Sequence, residues 1–199
     1  MDIPKTIIVM GRSGSGKGTQ IELLKELYKS KSPHQNILHF EPGNIFRSMV
    51  ESGSYPGKKV HNATAAGKLV PDFITNGLFV SDLAHNLEGE NQLLIFDGYP
   101  RSINQAEALD QALKYYDRNS AVIIHVEVSE QEVRNRLASR GRADDIEDKA
   151  LNTRIMFYND SVLPTIEWYR NHPNYTVLDI NGEGDINSIQ GSIITALSN

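Results

Sequence analysis

Short, almost wholly apolar runs alternate with amphipathic stretches along this chain. TIIVM (6–10), NILHF (36–40), LLIF (93–96), AVIIHVEV (121–128) and YTVLDI (175–180) read as five strands. Several are apolar without interruption, which requires cover on both faces and therefore a parallel sheet. Between them, Ile21, Leu24, Leu27 and Tyr28 share one helical face, and Ile103, Ala106, Leu109, Leu113 and Tyr116 share another. The alternation predicts an α/β fold with a five-stranded parallel sheet flanked by helices. ESGSYPGKKVHNATAAGKLVPD (51–72) breaks the rhythm, being poor in long apolar runs and rich in Gly, Ala and Lys. It reads as a small helical insertion.

The junction of the first strand and first helix carries chemistry. GRSGSGKGT, Gly11 to Thr19, fits G-x-x-x-x-G-K and then offers Gly18 where the general phosphate-loop pattern has Ser or Thr. Glycines let successive backbone N–H groups turn inward around phosphate oxygens, the helix N-terminus adds partial positive charge, and Lys17 adds a full one. A Gly/Ser-rich turn with a chance lysine is the competing reading. The strand before and the helix after weigh against it. Gly18 moves the hydroxyl to Thr19, which implies a metal held mostly by water and nucleotide.

A second cluster follows the third apolar run, at Asp97-Gly98-Tyr99-Pro100-Arg101. An Asp at the carboxyl end of a strand lies where open α/β sheets bind ligands, and can hold waters around magnesium, while Arg101 can grip a phosphate bidentately. An Asp-Gly turn beside a solvated arginine is the plainer alternative, and it loses ground next to the loop.

GKGTQ (16–20) and DGYPR (97–101) together resemble the nucleoside monophosphate kinases of the adenylate kinase family, in which a Gly-Thr pair after the lysine is the norm. The resemblance extends over nearly the whole chain. It implies a P-loop kinase of one domain (1–199) with a monophosphate-binding insertion at 41–72 and a short lid at 134–146. It implies ATP contacts at Gly14, Ser15, Gly16, Lys17, Gly18, Thr19, Arg136 and Arg140, with Arg136 packing on the donor base. On the acceptor side it implies Pro42, Gly43, Arg47, Lys68, Val70, Gly98, Arg101, Gln105, Arg142 and Arg154, with Gln105 meeting the base. Lys17, Arg101, Arg140, Arg142 and Arg154 are the implied catalytic set, and Asp97 holds Mg2+ through water. RNRLASRGRADD (134–145) could instead be a solvated helix face. The Gly141 break and the Asp144-Asp145 pair favour function, since two carboxylates can hold guanidiniums in place.

The chain departs from the family in three places. Pro42 replaces a hydroxyl near the acceptor base, Asn44 replaces a carboxylate near the metal waters, and Arg154 lies one residue farther from the Asp pair. The expected reaction is reversible transfer of the γ-phosphoryl of Mg-ATP to a nucleoside monophosphate, AMP first. A pyrimidine (UMP/CMP) kinase and a catalytically silent nucleotide-binding module are the alternatives.

Composition excludes other classes. A net charge of −5, from 20 basic and 25 acidic residues, argues against a nucleic-acid binder with a broadly basic surface. The absence of cysteine removes disulfides and thiolate zinc sites, and fits a reducing compartment. The apolar start is too short to span a membrane, so a cytoplasmic monomer is expected. The six histidines lack metal-ligand spacing and read as surface or core residues.

Overall fold

The computed structural model describes residues 4–140 and 148–198. Strands β1 (Thr6–Gly11), β2 (Ile37–Phe40), β3 (Leu93–Asp97), β4 (Ala121–Glu127) and β5 (Tyr175–Asn181) form one sheet in the order β2-β3-β1-β4-β5. All neighbours pair in parallel. Helices α1 (Lys17–Lys31), α2 (Pro42–Glu51), α3 (Tyr55–Ala65), α4 (Asp72–Asn86), α5 (Ile103–Tyr115) and α6 (Glu130–Arg140) follow in chain order. After them come α7 (Asp148–Phe157), a π turn at Tyr158–Val162, α8 (Leu163–Arg170) and α9 (Ile186–Ser198).

The uninterrupted apolar runs are explained by a core on each side of the sheet. Side chains alternate across a strand, so Ile7, Val9, Ile95 and Val126 join Leu24 of α1, Val133 and Leu137 of α6 and Ile193 of α9. Ile8, Met10, Leu94 and Phe96 turn the other way, onto Phe79 of α4, Leu109 of α5 and Tyr169 of α8. Central β1 is therefore buried from Thr6 to Met10. The edge strands are less covered than the sequence suggests. β2 buries only Phe40 fully and β5 only Ile180, because each has a single strand neighbour.

The expected helical insertion is the pair α2 and α3, of which only Pro42, Gly57 and Val60 are buried. Pro42 opens α2 within its first turn, where a missing N–H costs nothing. Ser54 caps α3 by accepting the Gly57 N–H at 3.2 Å. Gly57 also lets the two helices cross closely, since a Cβ there would fall 1.9 Å from Met49 O. Among the described residues, no helix is long and apolar enough to cross a membrane.

Candidate active site

Among the described residues, the loop after β1 and the 97–101 segment at the end of β3 lie side by side at the carboxyl ends of their strands. β1 runs into the loop at Gly11, and α1 starts at Lys17 behind Gly16, whose φ of 92° lies in the left-handed region. No side chain caps α1 there, so the N–H groups of its first turn stay available to an anion. Gly14 is left-handed too, at φ +83°, and a Cβ on it would meet Leu137 Cγ at 2.9 Å. Both the turn and the packing of α6 thus require glycine. Lys17 folds back over the loop, its Nζ donating to Gly11 O at 3.0 Å and Arg12 O at 2.7 Å.

Arg136 and Arg154 border the loop, and Arg12 lies within it. Arg136 donates to Glu132 at 2.7 Å, to Ser15 O at 3.3 Å and to Gly182 O at 2.9 Å, tying α6 to the loop and to the segment after β5. Arg154 of α7 shares a narrow crevice with Arg12 and Ser13. Arg12 stacks on the Tyr158 ring, 4.2 Å from its centroid, and donates to Asn159 Oδ1 at 3.2 Å. Tyr158 OH meets His125 Nε2 at 2.7 Å, and His125 Nδ1 meets Asp179 at 2.8 Å, so a polar chain, buried at Tyr158 and His125 and exposed at Asp179, underlies this end of the loop. Burial pushes the Tyr158 phenol up to about 12, so it remains a hydroxyl.

Asp97 ends β3 beside the loop, with Oδ2 3.8 Å from where a Cβ on Gly18 would stand. Arg101 turns back under this corner and donates from Nε to Gly98 O at 2.6 Å. The residue is exposed to solvent along one side. Protein packed round the guanidinium lowers its pKa by desolvation, Asp97 opposes the shift and Arg154 adds to it. Its charge persists, because guanidinium does not deprotonate in proteins. Arg101, Asp97 and Arg154 are therefore electrostatic neighbours.

β2 contributes what the sequence did not signal. Its register against β3 pairs His39 with Ile95 and Phe40 with Phe96, which brings the residues after both strands together. His39, Glu41 and Asp97 each offer one ligand atom, all within 4.8 Å of one another. A nitrogen and two carboxylates suit a hydrated divalent cation. Burial lowers the His39 pKa, against the pull of Asp97, and its Nε2 is buried without a hydrogen bond. Glu41 also accepts from Asn44 and, at 3.1 Å, from Arg47. Glu41 thus places a carboxylate three residues before Asn44 and next to Asp97. Spacing could not reveal this, because 56 residues separate Glu41 from Asp97.

At the residues expected to meet the acceptor, α3 ends in a turn where Gly67 N–H reaches Thr64 O at 3.0 Å and Lys68 N–H reaches Ala63 O at 2.9 Å. A Cβ on Gly67 would lie 2.4 Å from Ala150 O, so this turn presses on α7, the helix of Arg154. Lys68 is exposed and Val70 buried. Gln105 is buried with both ends of its amide engaged, Nε2 on Asp72 at 2.7 Å and Oε1 under the Arg101 N–H at 2.8 Å. Arg142, Asp144 and Asp145 lie outside the described residues, as does the side chain of Arg140 at the end of α6. A concavity of about 450 Å³ lies between α1 and the outer edge of β2 and shares only His39 with these groups.

A sequence profile described as adenylate kinase matches residues 9–174. The chain belongs to the adenylate kinase family. An adenylate kinase of Corynebacterium urealyticum is 34% identical over 191 residues, covering 96% of this chain and 98% of that protein. One from Phocaeicola vulgatus is 34% identical over 197 residues, with 96% and 97% covered. One from Oenococcus oeni is 34% identical over 179 residues, with 90% and 91% covered. The matched span takes in the phosphate loop, Glu41, the 97–101 segment, Gln105 and Arg154.

Proposed function

We propose that the chain transfers the γ-phosphoryl group of Mg-ATP reversibly to AMP, forming two ADP. The observation that carries this is the convergence of an uncapped, lysine-bearing loop, Asp97 and three arginines (Arg101, Arg136, Arg154) at one sheet edge. The relatives' shared name points to AMP as acceptor.

In this reading the loop N–H groups and Lys17 cradle the β- and γ-phosphates, while Arg136 borders the donor base. Arg47 and Arg101 hold the AMP phosphate, and Arg154, with Arg140 and Arg142, stabilises charge on the group in flight. Asp97 and Glu41 would hold the waters of a magnesium ion carried with ATP, and the ion would supply neutralisation of phosphate charge. Alignment and electrostatics suffice, so no general base is assigned. The insertion 41–72 and the lid 134–146 exclude water by closing over the nucleotides. A cytoplasmic location fits the cysteine-free composition.

A coupled assay of ADP formation from ATP with AMP, CMP, UMP and GMP tests the proposal. AMP should give the highest kcat/KM. If CMP or UMP ranks first, the enzyme is a pyrimidine nucleotide kinase. Nucleotide binding without ADP formation would leave a silent binding module.

A further inference from the structure

Which way the amide of Gln105 points is fixed by its neighbours. Nε2 donates to Asp72 Oδ1 at 2.7 Å and Oε1 accepts the Arg101 backbone N–H at 2.8 Å. A carboxylate only accepts and a backbone N–H only donates. Turning the amide over would set acceptor against acceptor at Asp72 and donor against donor at Arg101. Asp72 is itself held, because Ser102 Oγ donates to its Oδ2 at 2.8 Å. Ser102 in turn caps α5 by accepting the Gln105 N–H at 3.2 Å. The group lies where α4 and α5 begin, and Gln105 is only 2% exposed, so bulk water offers little compensation for a broken bond.

We infer that Asp72 determines acceptor specificity by locking Gln105 in one orientation, which admits bases that present an exocyclic amine beside a ring-nitrogen acceptor. The inference rests on the reading of Gln105 as the residue that meets the acceptor base. An amide has two N–H donors and two lone pairs. The internal bonds use one of each, leaving one N–H and one lone pair. Adenine and cytosine match that remainder, with an amine to donate and a ring nitrogen to accept. Guanine and uracil present the reverse, a keto oxygen and a ring N–H. The lock therefore divides acceptors into amino and keto bases, across the purine–pyrimidine boundary. With Pro42 offering neither hydroxyl nor N–H, more of the discrimination falls on this one amide.

Asp72→Asn tests the lock with little change of volume, since an asparagine can offer Gln105 either an oxygen or an amine. The kcat/KM ratios AMP:GMP and CMP:UMP should each fall about tenfold, the worth of one charge-assisted hydrogen bond, while the KM for ATP holds. A uniform loss on all four acceptors with unchanged ratios would mean that Asp72 only supports the fold and would overturn the inference. Gln105→Ala separates the underlying reading: if it leaves AMP:GMP unchanged, Gln105 does not meet the base at all. Should Asp72→Asn not fold, Ser102→Ala, which releases one oxygen of Asp72, should shift both ratios the same way by a smaller factor. In the unmutated protein, ¹⁵N NMR should show one Gln105 Nε2 proton protected from exchange with solvent, and two fast-exchanging protons would overturn the lock.

Discussion

Replacing Lys17 with methionine separates holding the loop from stabilising the reaction. Methionine keeps most of the stem's length and removes the charge. Without nucleotide, the ammonium already has two carbonyl acceptors, at 3.0 Å on Gly11 and 2.7 Å on Arg12. Bound phosphate therefore replaces contacts that exist rather than filling an empty shell, and the ground-state gain from Lys17 is correspondingly small. In the transition state the phosphoryl oxygens bear charge that neutral carbonyls cannot match, and removing one such donor costs about 2.7–4 kcal/mol, or about 10²–10³ in rate. The two loop bonds are partly exposed and their carbonyls can rehydrate, so stability should fall by only about 1 kcal/mol, a shift of about 2–4 °C in Tm. Steady-state ADP formation at saturating AMP gives kcat and the KM for ATP, and calorimetry gives Tm. The expectation is a kcat lower by two to three orders of magnitude with a KM for ATP within a few-fold of the original. A kcat within tenfold of the unmutated enzyme, or a loss residing entirely in KM, would refute the reasoning.

Arg101→Ala should weaken AMP binding by about 10–100-fold, as expected for a charge-assisted phosphate contact, and leave ATP binding alone within about twofold. Titration calorimetry with each nucleotide separately reads both, and equal losses would remove Arg101 from the acceptor side. Tyr158→Phe keeps the ring under Arg12 but leaves buried His125 Nε2 without its 2.7 Å partner, so it should cost about 1–3 kcal/mol; an unchanged Tm would show that the histidine finds another partner. Burial raises the pKa of Asp179, but hydrogen bonds from Arg170 and His125 outweigh it and hold the carboxylate below its ordinary value. Its stabilising contribution is therefore complete above the unfolded carboxylate pKa and disappears as pH falls through the depressed folded one. The Tm difference between the unmutated protein and Asp179→Asn should accordingly be largest near neutrality and shrink in acid.

What the sequence disclosed follows from how each signal is encoded. The phosphate loop was legible because backbone conformation, charge and helix start lie within Gly11–Thr19. Strands β1, β3 and β4 were legible because two-sided burial writes an unbroken apolar run, whereas β2 and β5, at the sheet edges, are less covered than their apolar runs imply. Groups assembled across elements left no local trace. Glu41 meets Asp97 only through the pairing of β2 with β3, and Asp72 meets Gln105 only where α4 and α5 begin. Nothing in Tyr158–Val162 announces a π turn. Of the histidines, His125 is a buried, hydrogen-bonded core residue as expected, while His39 stands beside two carboxylates that its flanking sequence does not reveal.

The same arrangement bears on how the proposed phosphate ligands behave before substrate arrives. Three of them are engaged by the protein itself: Lys17 by loop carbonyls, Arg101 by Gly98 O, and Arg47 by Glu41. Phosphate binding is then an exchange of partners, and its net free energy is the difference between two sets of charge-assisted bonds. Such a site binds ground-state phosphate modestly and responds most where negative charge increases, which is the differential binding that accelerates a reaction. Glu41 links the two halves of the exchange. Were AMP phosphate to take Arg47, as proposed, the carboxylate would be released beside Asp97, where a hydrated cation would gain from it. Occupation of the acceptor site should therefore tighten magnesium at the donor site, and by reciprocity magnesium should tighten AMP.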